Sequence, residues 1–279
     1  MKKLLIVLSA AVFGATAVQA ADSAARRYTK APVAAPYYSW TGFYGGVNVG
    51  GGWSRTSASY AVNDPASAFV DAALNFAANG DRFNGAGILG GVQAGYNYQF
   101  DRRWVAGLEA DFQGTNISGS STTQYITGFA NTTANNSIGY FGTFRGRLGY
   151  LATDRLMAYA TGGLAYAQLN NKTSLNVANG GVIIVGLGGS SVVCTPAQPL
   201  CYAGSSNSIT PGWTVGGGLE YALAGNWSVK GEYLYANFRD SVTAVAPAPI
   251  APLAPSTYGA KFNTDLNVAR VGLNYQFGR

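Results

Sequence analysis

Eight charged residues stand out because of where they recur: Glu109 and Asp111, Arg145 and Arg147, Glu220, Lys230 and Glu232, and Arg270. Each sits among apolar residues, small residues and glycines, and the three pairs are spaced by two. In an extended chain that spacing puts both members on one face. A carboxylate pair such as Glu109 and Asp111 could exchange a proton and do acid–base work. Two arginines at the same spacing in "GYFGTFRGRLGYL", residues 139–151, argue for a different state. A guanidinium fork pairs two carboxylate oxygens at once and keeps them ionised. Four acids against four bases therefore read as an interior charge cluster rather than as a catalytic acid and base.

Other chemistry is thinly supported. Most hydrolytic sites use a histidine as base, and the chain has none. The chain therefore reads as not an enzyme. Heme would need a Tyr or Cys ligand, since Met157 is the one methionine beyond Met1. Cys194 and Cys201 in "CTPAQPLC" make a poor metal set without histidine or a nearby acid, and a local disulfide is their natural reading. "GGVNVGGG" (45–52) lacks the Lys-Ser/Thr of a phosphate loop. No cofactor is expected.

The elements that must position the eight charges are strands. Alternation with period two marks segments at 42–54, 85–100, 104–117, 138–153, 156–170, 211–223, 227–239 and 265–277. The segment 156–170 alternates least clearly. Short turns "DRR", "TDR" and "AGN" take strict turns with long connections at 55–84, 118–137, 171–210 and 240–264. An up-and-down antiparallel meander with short turns at one end and long loops at the other has this arrangement. One face of the segments is aromatic and aliphatic, as in Trp104, Ala106, Leu108, Ala110, Phe112 and in Trp213, Val215, Gly217, Leu219, Tyr221. Aromatic ends eight residues apart, at about 3.3 Å per residue and a tilt of about 40°, lie roughly 20 Å apart along a barrel axis. That matches a lipid-facing band between two aromatic girdles. The charged cluster lies on the other face, inside, where Glu109 and Asp111 can reach Arg145 and Arg147 across neighbouring strands.

The ends place the barrel in the cell. "MKKLLIVLSAAVFGATAVQA" carries two lysines, an apolar run and a small-residue cleavage site, so residues 1–20 read as a secretory signal peptide. Residues 21–38 read as a periplasmic linker and 39–279 as the barrel. After cleavage, 16 basic residues face 12 acidic ones, too small an excess for nucleic-acid binding. Asp64, Pro65 and Gly80 predict a helix near 65–78 with a stripe of Phe69, Ala73, Leu74 and Ala77. "GGVIIVGLGG" (180–189) reads as the strand-rich tip of a hairpin. Residues 244–256, rich in Pro and Ala, read as extended and mobile.

"SWTGFYGGVNVGGGW" after an Ala/Pro linker, "RGRLGYLATDRLMAYATGGLAYA" and the closing "RVGLNYQF" together resemble the surface-antigen barrels of alphaproteobacterial outer membranes. These are porin-family proteins related to the opacity proteins and the OmpA transmembrane domain. The resemblance spans about 39–277 and implies an all-β, eight-stranded antiparallel transmembrane β-barrel in the outer membrane. It implies short turns in the periplasm and long loops outside the cell. Arg270, Gly272, Tyr275 and Phe277 look like the assembly signal of such barrels, although Gly278 and Arg279 follow the usual terminal aromatic. The expected partners are outer-membrane lipid, lipopolysaccharide, the barrel-assembly machinery and a host or small-molecule ligand at the loops; the expected state is a monomer. Functional expectations are a structural, surface-exposed envelope protein, a narrow porin, or a surface receptor, adhesin or hemin-binding protein.

Overall fold

The computed structural model describes residues 38–126 and 128–278. The signal peptide and most of the linker expected at 21–38 lie outside these residues. Eight long strands form one closed antiparallel ring: β1 (Gly42–Val62), β2 (Asp81–Gln99), β3 (Trp104–Tyr125), β4 (Ala130–Thr153), β5 (Leu156–Val177), β8 (Leu200–Ala222), β9 (Trp227–Val245) and β11 (Thr257–Gln276). Short strands β6 (Ile183–Leu187), β7 (Ser190–Cys194) and β10 (Ala254–Pro255) make a separate small sheet within the loops. Every long strand pairs with its sequence neighbours in the ring. β1 closes it by pairing with β2 on one side and β11 on the other, Trp53 lying between Ala86 and Asn267. Closure leaves no strand edge unpaired, which a lipid-exposed sheet requires.

The strands are longer than their sequence signal, at 19 to 24 residues each. Much of what reads as loop is barrel wall. The connection expected at 118–137 is almost entirely strand: Ser118 pairs with Ser137 and the ladder runs on to Tyr125 and Ala130. The cause is a reversal of polarity along each strand. Near the short turns, Phe43, Val49, Leu108, Phe144, Leu148 and Leu219 face outward and are exposed. Beyond Trp53, Tyr166 and Trp213 the outward residues become mostly Ser, Thr, Asn, Lys and Arg, with Ile209 an exception. The inward ones become apolar: Ala58 and Tyr60, Leu175 and Val177, Val242 and Ala244, Tyr258 and Phe262. Period two persists, but its sign is that of a soluble barrel.

A bulge marks the change on β4, where pairing with β5 skips between Ile138 and Phe141. It moves the buried positions from even numbers (Ala130 to Ile138) to odd ones (Phe141 to Leu151), keeping Arg145 and Arg147 inside. On β5 the inward face is Met157, Tyr159, Thr161, Ala165, Ala167 and Leu169. It mixes aromatic, small and polar residues, which is why this segment alternates poorly.

The loops pack over the end away from the short turns as a cap. Helix α1 (Pro65–Leu74) and the single turn α2 (Phe76–Asn79) occupy the expected stretch. The expected stripe is half met: Leu74 is buried and Ala77 packs against the core, but Phe69 is 58% exposed and Ala73 exposed, and Ala66, Ser67 and Val70 complete the buried face. The helix stops at Asn75 in a left-handed conformation (φ 56°), which turns Phe76 inward onto Tyr60 and Tyr258. Residues 180–189 fall in the β6–β7 hairpin. Residues 244–256 are docked, contrary to expectation: Ala254 and Pro255 pair with Ser190 and Ser191, and the Ile250 N–H donates to Ser191 Oγ at 2.7 Å. The disulfide between Cys194 and Cys201 lies in the same buried cluster as Tyr202 and Val192.

Asp64 ties these loops together. Its Oδ1 accepts from the Ala66 and Ser67 N–H groups at 3.1 and 3.0 Å, capping α1, and from Ser190 Oγ and Ser256 Oγ at 2.9 and 2.8 Å. Its Oδ2 accepts from the Thr257 N–H at 2.6 Å. One carboxylate therefore joins the first, third and fourth long connections. Burial alone would push its pKa up, but the hydrogen bonds from Thr257, Ser67, Ser256 and Ser190 outweigh that and hold it below the usual carboxylate range. A depressed folded pKa stabilises above the unfolded value of about 3.9, and that stabilisation fades as pH falls through the folded value. Amide hydrogen exchange in α1 and β10 should therefore accelerate in the wild type as pH drops below about 4, after correction for intrinsic rates. Asp64→Asn, which keeps one accepting oxygen, should be faster already at pH 7 and lose that acid-dependent step. Equal protection of the two proteins at neutral pH would remove Asp64 as the tie.

Candidate functional site: an ion-paired barrel interior

All eight charged residues singled out in the sequence are buried in the lower half of the ring. Alternation aims them inward, and the closure of only eight strands brings opposite walls within reach. An interior of this size is just wide enough for side chains to fill.

Arg145 is the hub. Its Nη2 lies 2.5 Å from Glu109 Oε1 and 2.9 Å from Asp111 Oδ2, both on β3, and its Nη1 lies 3.1 Å from Glu232 Oε1 on β9. Its Nε donates to Thr143 Oγ1 at 2.8 Å. Arg270 repeats the bridge from β11, reaching Asp111 Oδ2 at 2.8 Å and Glu232 Oε2 at 2.5 Å. Lys230 Nζ donates to both oxygens of Glu109, at 2.8 and 2.7 Å. Arg147 meets the expected pairing with β3 only at longer range. Its close partner is Glu220 Oε2 at 2.7 Å on β8, with Glu109 at 3.6 Å and no ion pair to Asp111 among the described residues. Arg147 lies one inward position nearer the short turns than Arg145, so a different acid is in range.

Two tyrosines belong to the same network. Tyr44 OH donates to Glu109 Oε2 at 2.6 Å and accepts from Arg147 Nη1 at 3.0 Å. Tyr159 OH donates to Glu232 Oε1 at 3.0 Å, while the Arg147 guanidinium stacks 4.2 Å above the centre of its ring. Ser228 and Asn274 donate to Glu220 Oε1 at 2.6 and 2.9 Å. An amide chain runs from Asn48 through Gln93 to Asn274. The sequence reading missed the tyrosines because it assigned aromatic residues to lipid. Parity was the available signal: Tyr44 shares its face with Asn48, and Phe43 shares its with Val47 and Val49. Space for the bulky groups comes from glycines opposite. A Cβ on Gly95 would stand 2.5 Å from Tyr44 OH, and one on Gly272 would stand 2.8 Å from Gln93 Nε2 and 3.2 Å from Lys230 Cγ.

The cluster is enclosed on both sides. Toward the short turns, Tyr38, Trp40, Val105, Leu151, Met157 and Ala222 pack together. Trp40 Nε1 donates to the Asp154 carbonyl, and Tyr38, placed by the sequence in the linker, donates to Gln276 Oε1. Above the charges lies an apolar layer containing Leu89, Ile117, Phe141, Leu234, Phe238 and Leu266. The residues of the assembly-signal pattern divide between faces. Arg270 and Gly272 point inward, whereas Tyr275 and Phe277 lie outside, with Tyr275 stacked edge-on against Trp227 and Phe277. Among the described residues no group of His, Cys, Asp and Glu side chains is arranged to hold a metal.

The family profile described as "Outer membrane protein beta-barrel domain" matches residues 6–277. The 31 kDa outer-membrane immunogenic protein of Brucella melitensis is 36% identical over 284 residues, covering 99% of this chain and 100% of the relative. The 25 kDa outer-membrane immunogenic protein of Brucella canis is 28% identical over 283 residues, covering 99% and 98%. Among solved structures, the outer membrane protein OprG from Pseudomonas aeruginosa aligns with a TM-score of 0.41 at 12% identity, over 86% of this chain and 97% of that one.

Removing the hub should be costly, since Arg145→Met leaves three buried carboxylates facing only Lys230 and Arg270 at close range. The loss expected for one partner of a buried ion pair is about 3–5 kcal/mol. Lys172→Glu, on the exposed upper wall, should change stability by about 0.5 kcal/mol or less. Urea unfolding in lipid vesicles, followed by tryptophan fluorescence, measures both. Equal effects would mean that the network contributes nothing specific to stability.

Proposed function

The chain belongs to the outer-membrane β-barrel family, and from that premise we propose that it is a structural, surface-exposed protein of the cell envelope whose barrel interior is closed by its ion pairs. The observation that carries this reading is the cross-lumen bridge. Arg145 on β4 reaches acids on β3 and β9, Arg270 on β11 reaches the same two strands, and Arg147 ties β4 to β8. The walls are thereby laced together through the space a solute would need. Apolar layers above and below the charges add two further barriers. The names of the Brucella relatives, outer-membrane immunogenic proteins, support the surface-exposed part of the reading. The long connections then face the outside and the short turns the periplasm.

A non-enzymatic role fits the same geometry. Each carboxylate of the cluster accepts from at least one cation at close range, so none is poised to take a proton from a substrate. The chain also lacks the histidine that most hydrolytic solutions use.

Planar-bilayer recording of the folded monomer tests the closed interior. The wild type should give only small, intermittent events, because Arg145, Arg147 and Arg270 bridge facing walls across the lumen. Arg145→Ser combined with Arg147→Ser should raise the conductance if the barrel still folds. Large, steady, nanosiemens-scale steps from the wild type would replace this reading with that of a narrow porin.

A further inference from the structure

The outward face of the upper wall carries its charge on one side. Arg55 on β1, Arg82 on β2, Arg239 on β9 and Lys261 on β11 are all exposed and lie on four consecutive strands of the ring. The register sets them close together. Arg82 pairs with Ser57, Ser57 with Asn263 and Asn263 with Arg239, so two arginines cap one cross-strand row. Lys261 is one outward position further along, opposite Ser59 and Ser241, and Arg55 is one position nearer the girdle, between Asn84 and Asp265. None of the four makes an ion pair among the described residues. The two carboxylates nearby have other partners: Asp265 accepts from Tyr235 OH at 2.6 Å and Asn237 Nδ2 at 2.8 Å, and Asp240 accepts from Asn171 Nδ2 at 2.8 Å. On the rest of the upper wall, β3, β4, β5 and β8 present a single outward cation, Lys172.

Height matters as much as charge. Arg55 stands two residues beyond the girdle residue Trp53, and Arg239 four beyond Tyr235, which puts them roughly 7–13 Å along the strand past the aromatic ring. Aromatic girdles mark the headgroup level of a bilayer, so the cations lie where anionic headgroup oxygens begin. Two shallow outward grooves coincide with them. One includes Ser57, Arg239, Ser241 and Lys261 with Asp240 beside them, the other Trp53, Arg55, Asn84, Tyr235 and Asp265. Below, Gly51 and Ala269 pair between Ile88 and Tyr233, leaving a small depression in the apolar wall above Val49 and Val271. A solvated face would not need its cations collected on one arc and at this level.

We propose that the β2–β1–β11–β9 face is a binding site for the phosphorylated headgroup of the outer-leaflet glycolipid, with Arg55, Arg82, Arg239 and Lys261 holding its phosphates. Guanidinium groups suit phosphate because they pair two of its oxygens, and the hydroxyl and amide groups between them suit the attached sugars. The proposal rests on the outward orientation of the long connections.

The test is lipid binding by the folded full chain in detergent micelles, read by native mass spectrometry. The probes are bisphosphorylated lipid A, dephosphorylated lipid A and inorganic phosphate. The wild type and Lys172→Ser should retain bisphosphorylated lipid A. The triple variant Arg55→Ser, Arg82→Ser, Arg239→Ser should bind it about tenfold more weakly or worse, three cations near a charged headgroup each contributing. Dephosphorylated lipid A should bind wild type and triple variant equally weakly. A triple variant that fails to fold is replaced by the single changes Arg82→Ser and Arg239→Ser, read in the same way. Unchanged affinity of the folded variants would overturn the proposal, as would equal affinity of the wild type for dephosphorylated lipid A. Full displacement of the lipid by inorganic phosphate would identify a free-anion site and overturn it as well.

Discussion

Closing a ring with only eight strands is the constraint from which the rest of this molecule follows. Lipid offers no partner for backbone N–H and C=O groups, so the sheet must meet itself. At this strand number the lumen cannot hold bulk water and must be filled by side chains. Inward charges on facing walls are then forced into contact. Desolvation makes such contact unfavourable unless nearly every oxygen and N–H finds a partner. The geometry around Arg145, Glu109 and Glu232 meets that demand with help from tyrosine, serine and amide groups. Glycines such as Gly95 and Gly272 are part of the same solution, because a methyl group at either would occupy the space of a network member.

The same strands serve two solvents. In the apolar band the large aliphatic and aromatic residues face out and the polar residues face in. Past Trp53 and Trp213 the assignment reverses, and a core of Tyr60, Phe76, Tyr202, Tyr258 and Phe262 fills the upper ring. The cap rests on this core, with Asp64 joining three loops. The upper half is thus organised like a soluble β protein, with apolar burial inside and a hydroxyl- and amide-rich skin outside.

Much of this was legible in the sequence. Period two, short turns and aromatic ends identify the ring, and the balance of four acids and four bases identifies the interior residues. The strand ends were not legible, because the usual signal is lipid-facing hydrophobicity and it disappears where the strand leaves the band. Inward Ala58, Tyr60, Val242 and Ala244 still alternate, but against a polar outer face that resembles loop composition. Tyr44 and Tyr159 were obscured for a related reason, since an aromatic residue in such a barrel is read first as a girdle residue. Arg147 found Glu220 rather than Asp111 because the partner across a lumen depends on curvature and side-chain length, which no strand pattern carries. The helix α1 was legible from its cap, but its buried face depended on what it packs against.

The reversed polarity of the upper wall has a consequence for how another molecule can recognise it. Only every second residue of Ala130–Ile138 or Leu169–Val177 is available to an approaching molecule, and the intervening ones, such as Thr132, Ala134 and Leu175, are buried. The visible surface is therefore written across strands, in rows such as Gln124, Asn131 and Asn176, and not along the chain. An antibody raised to a linear peptide from this region would be shaped by side chains that the folded protein hides. One raised to the folded wall would bind a conformational epitope that denaturation erases. Substitutions that alter this surface without disturbing the core are confined to one parity of the sequence, so those that accumulate here should leave a period-two trace.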